Sequence, residues 1–501
     1  MKVFYTFKDY ILVMLTSSYP GIIVFSLSIT FSGCLPGLAV GPDFESPKIE
    51  TENSLTRAKL LDEFEPNEKN AERPDETADW WISFNDPLLN SLIEVVSESN
   101  LGILQAVERV EQARASSMQT FFGLFPTPTL VGQYLKNKTA AVRFPGIAAN
   151  GIQFEVYSAG LEATWEIDLF GRLRRSVESA DSLAIASAYS LDDAKRLVQA
   201  QVATAYLQLR GAQRQKKIAL DNIQKQREVL KLIETRFEIG DSSPFDTERA
   251  RALTARTEST VSQFDALIAI STHRIAALMG DFSPDFISML EKNDIIPEYS
   301  GRAALSSPEE LLRRRPDVKI AERNLQASSA EIGVAVSDLF PRIEFSGQLA
   351  REARVPEDFF KSGAQAYSYG PRFSWQILNL GAVLNNIDRT KAVHRERIFK
   401  FQETLIIALE EIENATAELA REIEREYHLE RAFKSAKEAE RIAEVRYKEG
   451  MLNYLDLLTA QQSALEIDAE FTDSKTKKAL SYVSLYRALG GSWKKTDPVS
   501  F

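Results

Sequence analysis

GAVLNNIDRTKAVHRERIFKFQETLIIALEEIENATAELAREIEREYHLERAFKSAKEAERIAEVRYKEG, residues 381–450, holds no proline and no glycine besides the two that bound it. Apolar side chains recur along it at helical spacing, which predicts one uninterrupted helix. At about 1.5 Å per residue such a helix spans on the order of 100 Å, several times the diameter of a small domain. The function must use that length.

A second copy lies earlier, over residues 171–240, again without proline and with Gly211 as its only interior glycine. Trp165 and Gly171 precede it as Trp375 and Gly381 precede the other, at a constant offset of 210. Both copies end in an R-[FY]-x-x-G-x5-D turn: Arg236, Phe237, Gly240 and Asp246 in the first, Arg446, Tyr447, Gly450 and Asp456 in the second. Helical runs return from each turn to Leu278-Met279-Gly280 and to Ala488-Leu489-Gly490, so each half contains a long helical hairpin. The chain is an internal duplication, and that reading precedes all others.

Each hairpin has a helix before it, one from about Pro87 to Phe122 and one from Pro308 to Asp338, ended by Leu124-Phe125-Pro126 and Leu339-Phe340-Pro341. Here the offset is 215, so the halves differ by five residues between this point and the tryptophans. The loops of the hairpins that follow are the place for the difference. After the second Phe-Pro, Ile343, Phe345 and Leu349 alternate with Arg342, Glu344, Ser346 and Gln348. Tyr367, Tyr369, Phe373 and Trp375 alternate in turn with Ser368, Arg372, Ser374 and Gln376. Strands with one apolar and one wet face are predicted, as in a transmembrane barrel or a half-buried soluble sheet. In the first half Ile152, Phe154 and Val156 are in one phase and Leu161, Ala163 and Trp165 in the other, which predicts a bulge between Tyr157 and Gly160.

Four strands do not close a barrel, and an open edge in lipid leaves backbone groups unpaired at several kcal/mol each. Two copies would give a barrel filled by its own side chains, whereas three give twelve strands and room for a passage. A homotrimer is expected.

The 501 residues carry 44% hydrophobic and 26% charged side chains, enough for a folded core and unlike a disordered chain or a polytopic helical membrane protein. The net charge of −11 without a basic cluster argues against nucleic acid as partner. Cys34 is the only cysteine, so an intrachain disulfide and a cysteine metal site are excluded. Lys2 and Lys8, an apolar run from Tyr10 to Phe31 and then Phe31-Ser32-Gly33-Cys34 resemble a bacterial lipoprotein signal, with Cys34 as the lipid-bearing residue. A retained membrane anchor, or a signal peptide with an incidental cysteine, is the alternative. No aspartate follows the cysteine, which points to outer-membrane lipid as the destination.

Gly41-Pro42-Asp43-Phe44, Asp79-Trp80-Trp81 with Phe84, Asp86-Pro87-Leu88, Leu312 to Asp317, and above all Trp165-Glu166-Ile167-Asp168-Leu169-Phe170-Gly171-Arg172-Leu173-Arg174-Arg175 carry a family resemblance. The chain resembles the TolC-type outer-membrane efflux factors, in the NodT/OprM-like lipoprotein branch paired with resistance-nodulation-division pumps. The second passage, Trp375 to Gly381, keeps the tryptophan and glycine but has Ala382-Val383-Leu384 where the family usually has a basic residue. Each tryptophan reads as a packing or interfacial anchor. The resemblance implies a homotrimeric duct that meets a periplasmic adaptor protein and an inner-membrane pump. It also implies that Asp456 forms a carboxylate ring where the tunnel narrows at its periplasmic end, and that Asp246 and Tyr447 tie neighbouring coils together at the tip. The residue pattern alone equally allows Asp456 to be a stabiliser of a helix start. Leu452 stands where some members have an arginine in that network.

His273, His394 and His428 lie far apart, and neither a phosphate loop nor an elbow-type serine occurs, so no enzyme, cofactor or metal is expected. The fold class expected is mainly α with a small β-barrel, from two tandem repeats. A signal peptide would fill residues 1–33 and an extended segment 34–85. Repeat 1 would cover 86–290, with strands near 128–136 and 152–167 and the hairpin 171–280, and a linker 291–307 would follow. Repeat 2 would cover 308–490, with strands near 341–350 and 366–377 and the hairpin 381–490, before a tail at 491–501. Function is expected to be passive conduction of drugs, toxic organics or metal ions outward; a protein-secretion duct or a coiled-coil scaffold are the alternatives.

Overall fold

The computed structural model describes residues 39–49, 79–138, 140, 152–240, 242–291, 293–301 and 307–491. Cys34, the expected lipid site, lies outside them. After a 3-10 turn at Trp80–Phe84 come α1 (Pro87–Ser99), α2 (Leu101–Phe122), β1 (Thr127–Lys138) and β2 (Gln153–Ile167). The first hairpin is α3 (Arg172–Glu238) with α4 (Pro244–Met279), followed by α5 (Pro284–Glu291). Then α6 (Pro308–Arg314), α7 (Pro316–Ser337), β3 (Arg342–Ala353), β4 (Gln365–Ser374), α8 (Leu380–Lys448) and α9 (Tyr454–Ala488) repeat the order. The long helices α3 and α8 hold 67 and 69 residues. Among the described residues no helix is long and apolar enough to cross a membrane.

Where one helix was expected from Pro87 to Phe122, the structure has two. Asn100 is extended and caps α2, its Oδ1 accepting from the Gly102 and Ile103 amides at 2.9 and 3.2 Å, while its Nδ2 donates to Leu278 O at 2.7 Å. A side chain that serves both the cap and a neighbouring helix end competes successfully with helix continuation. The expected helix from Pro308 is likewise split at Arg315, because Pro316 excludes the helical conformation from the residue before it. Arg315, buried, pairs with Asp317 at 2.6 Å and Glu411 at 2.7 Å and donates to Ala488 O at 2.6 Å, so the break ties α7, α8 and the end of α9 together.

The long helices turn at Gly240 and Gly450, whose φ of 79° and 72° a residue with a Cβ rarely adopts. Ser243 and Asn453 then cap the return helices, accepting from Phe245 N at 3.2 Å and Asp456 N at 2.9 Å. Around the middle of α3, buried Tyr206, Leu207 and Leu209 pack with Trp80, Trp81 and Phe84 of the 3-10 turn and with Tyr482 and Leu485 of α9. Trp80 stacks on Tyr486 at 5.6 Å and Tyr299 on Tyr482 at 4.2 Å. A second, smaller apolar cluster holds the far end of the hairpins, around Ile233, Leu253, Tyr447 and Leu457.

The strands form one antiparallel sheet in the order β1-β2-β3-β4. The expected bulge between Tyr157 and Gly160 is absent: β2 pairs without interruption with β1 from Gln153 to Thr164 and with β3 from Tyr157 to Ile167. The phase slip is instead a change in what each face meets. The rungs Leu130–Leu161–Leu349–Tyr367 and Trp165–Phe345–Pro371 put apolar side chains on one face, and most of them are exposed. Thr129–Glu162–Gln348–Ser368 and Thr127–Thr164–Ser346–Gly370 make the other face polar.

Candidate functional site

Two places concentrate structure that packing alone does not require: the passage between sheet and long helix, and the far tip of the hairpins. At the passage Asp168 lies just before the start of α3. Its carboxylate accepts from the Leu173 and Arg174 amides at 3.1 and 3.0 Å, taking up donors that a helix start leaves unpaired. Glu166 holds Arg172 in a two-pronged pair at 2.8 and 2.5 Å. Trp165 Nε1 donates to Leu124 O at 2.9 Å, and in the second repeat Trp375 Nε1 donates to Leu339 O at 3.1 Å. Each tryptophan thus closes the end of the helix that enters its hairpin.

Arg175 is buried and reaches the opening segment, with Nη2 2.5 Å from Asp43 Oδ1 and Nη1 2.7 Å from Glu178. The Val40 amide donates to Phe170 O at 3.0 Å. Gly333 of α7 lies under this segment, and a Cβ there would stand 2.8 Å from Val40 O. The Gly41-Pro42-Asp43-Phe44 and Trp165-to-Arg175 motifs are therefore one contact. In the second passage Gly381 faces nothing within 4 Å, and Val383 and Ile387 pack on Ala335 instead.

At the tip, Arg236 Nη2 donates to Tyr447 O at 3.1 Å and its guanidinium lies 4.6 Å from the centre of the Tyr447 ring. The contact joins the ends of the two long helices. Tyr447 is buried, 6.1 Å from the ring of Tyr454, which is buried in turn. Burial pushes the Tyr454 hydroxyl up to about 12, with Tyr447 and Asp246 adding to the shift and Arg249 opposing it. The structure so brings Tyr447 and Asp246 into one neighbourhood. Asp456 stands apart, exposed on the first turn of α9, where Asn453 rather than Asp456 does the capping. Leu452 packs against the apolar cluster of the tip. Arg236 is legible in the sequence as part of the repeated turn motif, but its contact with Tyr447 is not, and Tyr454 has no motif to mark it. Among the described residues no group of His, Cys, Asp and Glu is placed to hold a metal ion.

The model of the family described as outer membrane efflux protein matches this chain twice, over residues 92–281 and 307–491, once for each repeat. The chain belongs to the outer membrane efflux protein family. Its resemblance to the NodT/OprM-like branch is borne out by its relatives. It is 29% identical to nodulation protein T of Rhizobium leguminosarum bv. trifolii over 464 residues, 92% of this chain and 96% of that protein. It is 27% identical to the toluene efflux pump outer membrane protein TtgF of Pseudomonas putida, over 93% of this chain and 96% of the other. Among solved structures the outer-membrane channel OprN superposes with a TM-score of 0.83 at 33% identity, covering 90% of this chain and 99% of that one. As an efflux protein the chain is a component of transport, mainly helical and built of two repeats.

Proposed function

We propose that three copies close their sheets into a twelve-stranded barrel in the outer membrane and continue it as a helical tunnel, a passive duct for small molecules leaving through a tripartite pump. The observation that carries this is the sheet. One face is apolar and exposed, the other polar, and among the described residues the outer edges of β1 and β4 have no partner strand. In lipid such edges must be paired by another copy. The family's efflux role supports the direction of flow.

A periplasmic adaptor fits the groove between α3 and α4 that Leu220, Ile223 and Val261 line together with the Arg227–Glu258 pair, 2.6 Å apart. An inner-membrane resistance-nodulation-division pump supplies the energy, and the duct itself does no chemistry and needs no cofactor. Cys34 adds a lipid anchor, which palmitate labelling lost in Cys34→Ser would confirm and labelling retained in it would refute. At the tip, Tyr447 and Asp246 hold the coils together, while three copies of the exposed Asp456 set a negative field in the mouth.

The test is a planar bilayer with detergent-purified protein. Trimers with cation-selective conductance are expected, and Asp456→Ala should lower the selectivity and weaken block by trivalent cations. A well-behaved monomer with intact sheet would refute the barrel, and unchanged selectivity in Asp456→Ala would remove that residue from the gate.

A further inference from the structure

The uninterrupted register of β1 and β2 has a consequence at the ends of the strands farthest from the helices. From Trp165 to Tyr157 the apolar face of β2 carries Trp165, Ala163, Leu161, Ala159 and Tyr157. The next residue on that face is Glu155, which pairs with Lys136 of β1 at 2.8 Å. At the same rungs the opposite face, which until then alternates polar rungs with the small Val131–Gly160–Ala350 rung, gains larger apolar side chains: Leu135 stands across from Val156, and Phe154 follows across from Asn137. Arg354, just past β3, lies 5.8 Å from the centre of the Phe154 ring. Both faces change together.

Trp165 marks a membrane interface, as tryptophans at such positions do. Phe154 lies eleven residues farther along β2, about 36 Å at strand rise, or about 28 Å along the membrane normal for a tilt of about 40°. The apolar band of a barrel is about 25 Å tall, so Glu155 and Lys136 sit where the outside is water again. There the inward face still carries apolar side chains: Leu135 is exposed, and Phe154 and Val156 are half-buried, with Arg354 lying over the Phe154 ring. Each is costly at about 25 cal/mol per Å² left in water, unless equivalent side chains of other copies converge on it.

We propose that Leu135, Phe154 and Val156 of three copies form an apolar collar at the external mouth, a second constriction that resists hydrated ions and favours apolar or amphipathic solutes. It rests on the barrel reading given above. A ring of this kind hinders ions because a narrow apolar passage sheds its water. The polar rungs below it, such as Glu162 with Gln348 at 3.1 Å, stay wet and do not select in this way.

Single-channel recording tests it. Phe154→Ser with Val156→Ser should raise the conductance about two-fold or more, whereas Ser158→Ala on the polar part of the same face should leave it unchanged. Since Cys34 is the only native cysteine, Val156→Cys in the Cys34→Ser background offers one thiol and preserves volume. A charged, water-soluble thiol reagent should react there and alter the conductance, and should fail to react with Leu161→Cys on the lipid face. Wild-type trimers that never conduct would overturn the duct reading and the collar with it. Conducting trimers that the double substitution leaves unchanged, or that react at Leu161→Cys and not at Val156→Cys, would overturn the collar alone.

Discussion

Gly333→Ala separates two effects of opposite sign. Alanine in a helix interior favours the helix by about 1 kcal/mol over glycine, so α7 itself should gain stability. The added Cβ, however, would stand 2.8 Å from both Val40 O and Arg175 Cγ, too close for either to stay. Overpacking of this kind costs about 1–3 kcal/mol, and the weaker partner yields. That partner is the opening segment. It is held by the Val40 amide on Phe170 O at 3.0 Å, by Arg175 Nε on Val40 O at 3.4 Å, and by the Arg175–Asp43 pair, whose carboxylate is 90% exposed and therefore screened. The neutral Val40–Phe170 bond contributes about 1 kcal/mol and the Arg175 bond to Val40 O about 1–3, comparable to the clash.

A clash of about 2 kcal/mol taken from the docked state multiplies the open population about 30-fold. Hydrogen exchange of the Val40 amide reads that population directly. We expect exchange over residues 39–44 to accelerate about 30-fold in Gly333→Ala while the melting of the helical signal stays level or rises. Gly381→Ala is the control, since a Cβ there meets nothing within 4 Å. If Gly333→Ala leaves Val40 as protected as before, the segment does not rest on Gly333 in solution, and its docking is not what the paired motifs encode.

Trp165→Phe keeps the ring and removes the donor to Leu124 O, so it should lower the thermal stability of the assembled protein by about 1 kcal/mol. Trp375→Phe should cost less, because its 50% exposure lets water replace the lost donor, and equal losses in a melting series would contradict this ranking. Tyr454 gives a pH dependence at the tip. Its folded-state pKa lies above the unfolded value, so the unfolded state releases its proton first. Stability is then complete below about pH 10 and falls as pH rises toward about 12. Tyr454→Phe should abolish that part of the alkaline loss, measured by melting between pH 9 and 12.

The duplication and the long helices were legible because both depend on local signals: glycine and proline placed at the ends and excluded between them. The breaks at Asn100 and Arg315 were not, because apolar spacing runs on through both. At Asn100 the break is tertiary, the bond to Leu278 O; at Arg315 the local signal is Pro316, which the apolar spacing masks, and the place of Arg315 between Glu411 and Ala488 O fixes the break. The slip in β2 was visible but misread. Alternation reports which face is apolar and not what that face meets, so a change of surroundings along a straight strand looks the same as a bulge in uniform ones. The tip shows the same limit. Arg236 and Tyr447 O are 211 residues apart, and nothing in either turn alone says that the guanidinium of one covers the ring of the other.

A duplicated chain keeps its two halves alike wherever both halves do the same job, so the departures from likeness carry information. Trp165 and Trp375 serve both halves alike, each closing a helix end. Arg175 has no counterpart because each chain has a single opening segment, and only one passage can receive it. The apolar inward residues Leu135, Phe154 and Val156 belong to the first hairpin, while at the repeat offsets of 215 and 210 the second hairpin has the small Ala350, Ala364 and Ala366. In a threefold barrel this places three hairpins with large apolar side chains in alternation with three that carry only alanines at those places. Constriction at that end therefore falls to the first repeat alone, as docking of the opening segment does at the other end of the sheet.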